Sequence, residues 1–326
     1  MIEFVFMLTH HDRTVPDPAG VYQQVRECGL RYVGFKDIGA PVAELREVCD
    51  RAHADGLEVM LEVVSTTREE ELRSVAAAAE IGVDWLLGGT HPEDGLRVLA
   101  GSPWPDGLPR YCPFPGTVVG HPSVLQGEIG QIAESARRIT GLDGVFGLDL
   151  LAYRHQTADP AELTRAVVRA ASGPVIAAGS VASTAQIETL DGAGAWGFTI
   201  GGAIFEGRLP GAPSIAGQVT EVLRAAARAG PGTGPGPGVT GPVGHERAGG
   251  ARRRLDCGTR ELATERRGKE APQRRPGDER AAQHRPSRRP GQLIEPLRRP
   301  GPGAAPAGAG QPTGGQLVPA ARLGRA

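Results

Sequence analysis

Short apolar runs and amphipathic stretches alternate along the first 229 residues. Residues 3–8, EFVFML, are too few and too uniformly apolar for a surface helix; they read as a strand buried on both faces. Residues 17–28 carry apolar positions at helical spacing and stop at Gly29. The same pair recurs down the chain. Further strands are predicted at 31–35, 58–64, 84–87, 110–114, 145–150, 174–178 and 196–200. Helices are predicted at 42–54, 67–81, 92–100, 123–139, 159–171, 183–192 and 215–227, with Ser65-Thr66-Thr67, Asp159 and Ser183-Thr184 as start signals. A strand followed by a returning helix forces parallel strands. Eight such units with no added domain favour a closed ring over an open doubly wound sheet. The pattern predicts an α/β fold, a single (β/α)8 TIM barrel over residues 1–229.

Composition changes the picture only beyond that point. From Gly230 onward helical periodicity ceases, and 14 of the 28 prolines fall there. Such a segment buries too little apolar area to offset its ordering entropy, so residues 230–326 are expected to be disordered. The formal net charge of −1 hides an asymmetry: 18 of the 36 Lys and Arg lie in this tail, against eight of the 37 Asp and Glu. The barrel is therefore acidic and the tail basic, which argues against nucleic acid as the barrel's partner. Arg, Pro, Gly and Ala have GC-rich codons, so the tail also reads as an out-of-frame translation of GC-rich DNA. On that reading, truncation near Gly230 leaves folding and activity unchanged. No apolar run approaches the ~18 residues of a membrane span. No basic region precedes the first apolar run, so a secretion leader is not expected. Cys28, Cys49, Cys112 and Cys257 lack zinc-ligand spacing and read as reduced cysteines of a cytoplasmic protein.

In a barrel of this kind chemistry sits at the C-terminal ends of the strands. Lys36 ends the second strand and is the one lysine among 18 cationic residues before Gly230. Lysine can lose its proton when buried and arginine cannot, so Lys36 is a candidate acid, base or Schiff-base former. Glu62 and Asp149 lie inside apolar strands, where a charge is costly unless it is paired or used. These three are the catalytic candidates. His10, Asp37, Thr90, His91 and Arg154 lie at strand ends and are candidate substrate ligands. His10-His11 and His91 could bind a divalent metal with Asp12 or Glu62, but they show no fixed ligand spacing, so no metal or cofactor is expected. His121, between Gly120 and Pro122, reads as a residue of a covering loop.

The stretch PVIAAGSVASTAQIETLDGAGAWGFTIGGAIFEG, residues 174–207, holds two buried strands, each followed by a glycine turn that opens a helix. Gly179-Ser180 and Gly201-Gly202 would present backbone N–H groups at positive helix ends, a nest suited to phosphate. AAGSVAS followed by FTIGGAIFEG resembles the paired phosphate motifs of the ribulose-phosphate-binding barrels, which include histidine- and tryptophan-pathway enzymes, epimerases and sugar-phosphate decarboxylases. The resemblance implies phosphate binding by these four residues and says little about the reaction. FVFML lacks the strand-one aspartate of the histidine-pathway isomerase, and Lys36 lacks the Asp-x-Lys-x-x-Asp setting of the decarboxylases. The expected partner is a phosphorylated sugar-like or small carbonyl substrate. The expected reaction is isomerisation or epimerisation, with a Schiff-base aldolase or lyase, or a non-catalytic binding barrel, as alternatives. No membrane partner is expected; assembly into a homo-oligomer stays open.

Overall fold

Eight parallel strands stand around a ring: β1 (Glu3–Met7), β2 (Tyr32–Lys36), β3 (Glu58–Val63), β4 (Trp85–Gly88), β5 (Arg110–Cys112), β6 (Leu148–Leu150), β7 (Val175–Ala177) and β8 (Gly197–Ile200). They neighbour one another in the order β6–β7–β8–β1–β2–β3–β4–β5. The two ends meet. Phe146 N donates to Tyr111 O at 2.8 Å and Asp149 N to Pro113 O at 3.1 Å, which lays β6 along β5 and nearly closes the barrel. This is a computed structural model; it describes residues 2–104 and 107–229. The tail predicted at 230–326 lies outside the described residues.

The helices are α1 (Pro18–Val25), α2 (Val42–Ala54), α3 (Arg68–Ile81), α4 (Pro92–Gly101), α5 (Ile129–Thr140), α6 (Pro160–Ala170), α7 (Thr184–Gly192), the four-residue α8 (Gly202–Phe205) and α9 (Ile215–Arg228). Three starts were marked in the sequence. Thr67, Asp159 and Ser183 each accept a hydrogen bond from the backbone three residues on. A cap of this kind contributes about 1 kcal/mol.

Side chains alternate across each strand. Val5, Met7, Tyr32, Met60, Trp85, Leu87, Cys112 and Ile176 fill the interior. Phe4, Phe6, Val33, Phe35, Leu61 and Leu86 pack outward with the helices. Gly34 has a steric reason: a Cβ there would stand 2.5 Å from Met7 Sδ, inside the ring. Trp85 and Trp196 lie 5.1 Å apart, with Tyr32 5.6 Å from Trp196, and these rings floor the barrel at the N-terminal end of its strands.

Two hairpins depart from the predicted pattern. The helix expected over 123–139 begins only at Ile129. Ahead of it, Thr117–Val119 pairs antiparallel with Val124–Gln126, Val118 opposite Leu125. Pro122 and the left-handed Gly120 and Gly127 interrupt helical geometry there, and Leu125 is buried in the core. The second hairpin, Thr9–His10 with Arg13–Thr14, has arms too short to leave a periodic signal.

Candidate active site

The hairpin after β1 turns on two residues, His11 and Asp12, both left-handed at φ 48° and 61°. A two-residue hairpin loop favours this double positive φ and usually takes Asn-Gly to reach it. Here the strained positions carry side chains that the site uses. Thr14 ties the hairpin to β2: its Oγ1 donates to Lys36 O at 2.8 Å and accepts from Lys36 N at 2.9 Å. Asp12 is thereby set over the barrel mouth.

Lys36 points inward from the end of β2, pairs in register with Glu62 on β3, and is buried. Its Nζ donates to Asp12 Oδ1 at 2.5 Å and lies 3.2 Å from Glu62 Oε1. Arg154, from the loop after β6, donates to the same Asp12 carboxylate at 2.7 Å and 3.0 Å. Asp12 therefore joins both cations. Burial alone would raise the pKa of its carboxyl. The Arg154 hydrogen bonds and the charge of Lys36 outweigh that and hold it well below the usual carboxylate range.

Asp149 has the opposite environment. It is wholly buried on β6, and both its oxygens lack a hydrogen-bond partner among the described residues. Desolvation first, and then the negative charge of Glu62, push its pKa well above the ordinary value, against the pull of Lys36 and Arg154. The site thus pairs an ionised acid at the mouth with an acid beneath that favours its neutral form. Such separation of two like groups is the arrangement that divides proton-accepting and proton-giving roles.

A cavity of about 180 Å³ opens beside this cluster, and Lys36, Glu62, Asp12 and Arg154 share its wall with Gly179, Ser180, Gly201 and Gly202. The glycines are there for different reasons. A Cβ on Gly179 would meet Arg154 Nε at 2.2 Å, so the guanidinium lies against bare backbone. That Nε is buried and without a partner among the described residues. A Cβ on Gly201 would strike Thr9 Oγ1 at 2.4 Å. A Cβ on Gly202 would meet nothing nearer than 3.9 Å, so packing does not demand glycine at that position. Ser180 holds a left-handed φ of 62°, a conformation costly for a residue with a side chain.

Catalytic candidates Lys36 and Glu62, the four phosphate candidates and Arg154 therefore share one space, with Asp149 buried close enough to feel their charges. Four substrate candidates do not line that space. Asp37 points away from Lys36, as strand alternation requires, and accepts from Val64 N at 3.0 Å and Ser65 Oγ at 2.5 Å beside the groove between α2 and α3. Thr90 and His91 are held by Glu71, a buried carboxylate on α3. It accepts from their backbone N–H groups at 3.0 Å and 2.9 Å and contacts both side chains. His10 stands just behind the cavity wall, 3.2 Å from Glu206 Oε1, with its ring against His11.

Asp12, His11, Glu206 and Arg208 line the cavity without having been chosen as site residues. For Asp12 a signal existed: Thr9-His10-His11-Asp12-Arg13-Thr14 has the length of a two-residue hairpin. His121 comes to the mouth as a covering-loop residue would, its Nδ1 3.7 Å from Asp12 Oδ2. The backbone of the same loop holds Arg154, which donates to Ser123 O at 3.4 Å.

No protein-family model and no curated protein matches the sequence. Solved structures share the fold. A tryptophan synthase from M. tuberculosis, in an open form, superposes with a TM-score of 0.50 at 14% identity, covering 69% of this chain and 92% of that one. An orotidine 5′-phosphate decarboxylase from Pyrococcus horikoshii OT3 gives a TM-score of 0.48 at 13% identity, covering 69% and 99%. At 14% identity the likeness to the tryptophan synthase is one of barrel architecture. Among the described residues no helix is long and apolar enough to cross a membrane.

Proposed function

We propose that the chain is an enzyme that moves a proton on a phosphorylated sugar-like or small carbonyl substrate, as an isomerase or epimerase. One observation carries this reading: the glycine turns at 179–180 and 201–202 open into the same cavity as Lys36 and Glu62. A phosphate held by the turns, beside the Arg154 guanidinium, fixes one end of the substrate. The carbon framework then extends toward Lys36. The Lys36 ammonium donates to the carbonyl oxygen and stabilises the negative charge that develops there. Glu62 takes the proton from the adjacent carbon, and Asp149 stands behind it as a proton donor. A barrel that merely bound an anion would gain nothing from carboxylates at 62 and 149.

The alternative, attack of Lys36 on the carbonyl, needs a free amine. Lys36 Nζ is held between two carboxylates, 2.5 Å from Asp12 Oδ1 and 3.2 Å from Glu62 Oε1, contacts that must break before it can attack. Proton transfer is therefore ranked first. The experiment is solvent exchange: sugar phosphates and small phosphorylated ketones are incubated with the protein in D2O and followed by proton NMR. Deuterium entering next to a carbonyl, lost at least about 100-fold in Glu62→Gln, is the expected result. A borohydride-trapped adduct on Lys36 would replace this reading with the lyase.

A further inference from the structure

The rim of the cavity carries a second group of side chains that the proton-transfer reading does not use. His10 and His11 lie on the hairpin after β1, and Glu206 follows α8, 196 residues along the chain from His10. Their ligand atoms all lie within 4.8 Å of one another. His10 Nε2 is 3.2 Å from Glu206 Oε1, and the ring centroids of His10 and His11 are 3.7 Å apart. Glu206 Oε2 is held by Arg208, which leaves Oε1 turned toward the imidazoles.

We propose that His10, His11 and Glu206 bind a divalent first-row transition metal ion at the edge of the phosphate cavity. Two imidazoles and one carboxylate suit Zn, Mn, Fe, Co or Ni, and the nitrogen donors disfavour Mg and Ca. Three protein ligands leave coordination positions for water or substrate. His11 and Glu206 both line the cavity, so those positions face it. Gly202 sets the direction: its absent Cβ would lie 3.9 Å from Glu206 Oε1 and 4.0 Å from His10 Cδ2. A metal held by the trio thus neighbours the phosphate cradle and supplies a positive charge that backbone amides cannot match. His11 holds a left-handed φ of 48° at this turn, with its ring against that of His10. Arg208 orients the carboxylate from outside, as outer-shell partners do at metal sites. Sequence spacing could not show this trio, because the barrel must close before Glu206 reaches the histidines.

The test is Co2+ titration of the full chain after chelator treatment, read by visible absorption and by melting temperature, with no substrate present. One Co2+ per chain, displaced by Zn2+ and raising the melting temperature, is expected. Loss of an outer-shell partner weakens a metal site by about 10–100-fold, so His11→Ala and Glu206→Gln should each cost at least about 100-fold. His10→Ala should do the same, and the metal-free melting temperatures of all three report whether each variant folds. Absence of binding, or binding unchanged in Glu206→Gln and His11→Ala, overturns the proposal; the latter would assign the ion to the tail, which carries His245, Cys257 and His284. Because no turnover is measured, failure here leaves the isomerase reading standing.

Discussion

Asp12 Oδ1 accepts from Lys36 Nζ at 2.5 Å, although one residue rides a hairpin turn and the other ends a barrel strand. The contact is buried, and Arg154 closes it from the opposite side. Removing one partner of a buried ion pair is costlier than never having had it, because a charge is stranded. Asp12→Asn should therefore destabilise the fold by about 3 kcal/mol in urea denaturation at neutral pH. The folded-state pKa of Asp12 is depressed, so its stabilisation is present above the unfolded value near 4 and lost as pH falls. Repeating the denaturation toward pH 3 should shrink the gap between Asn variant and wild type. A constant gap would mean that the carboxylate charge is not what stabilises.

Asp149 predicts the reverse slope. Its folded pKa is raised, so the neutral acid stabilises the fold below the unfolded value near 4, and that contribution falls as pH rises toward the raised pKa. Asp149→Asn cannot ionise. Its stability relative to wild type should climb above pH 4 by up to about 1.4 kcal/mol per pH unit. Denaturation of both proteins between pH 4 and pH 8 measures this directly. Under the proposed mechanism the same variant loses turnover while gaining stability, a pairing that a purely structural Asp149 would not give.

The strand starts, the helix caps and the glycine turns were legible because each rests on a local rule: a buried run, a capping side chain, a left-handed turn. That Glu62 and Lys36 face inward was not legible, because strand alternation leaves either face open until the register is fixed. The surroundings of Asp37, Thr90 and His91 were not legible for a different reason. Position at a strand end does not reveal what else competes for the side chain. Glu71, one of three acids in the first turn of α3, takes both Thr90 and His91. Asp12 was missed because its partners lie 24 and 142 residues away.

Glu71 supplies a test of whether Thr90 and His91 serve the site. It is buried and accepts two backbone N–H groups, and Glu71→Ala strands both donors, so a loss of about 2–4 kcal/mol is expected. His91→Ala and Thr90→Ala should leave the exchange rate of any substrate found nearly unchanged. A large fall in rate with intact stability would return those residues to the site.

The two glycine turns can be separated by alanine. Gly179→Ala forces a Cβ within 2.2 Å of Arg154 Nε at a φ of 74°. It should cost about 1–3 kcal/mol in thermal or urea unfolding and displace the guanidinium. Gly202→Ala meets no atom closer than 3.9 Å, so stability should stay within about 1 kcal/mol of wild type. Its methyl group enters the space assigned to phosphate, and inorganic phosphate measured by calorimetry should bind at least about 10-fold more weakly. Equal phosphate affinity in Gly202→Ala and wild type would move the anion elsewhere.

The 142 residues between Asp12 and Arg154 have a further consequence. Neither half of the chain holds the joined cluster, so it arises only once the first and sixth segments have come together. Any turnover by this protein is then also a report that the circle of strands has been completed. Split at α4 and expressed as two pieces, the chain should stay silent until the pieces reassociate.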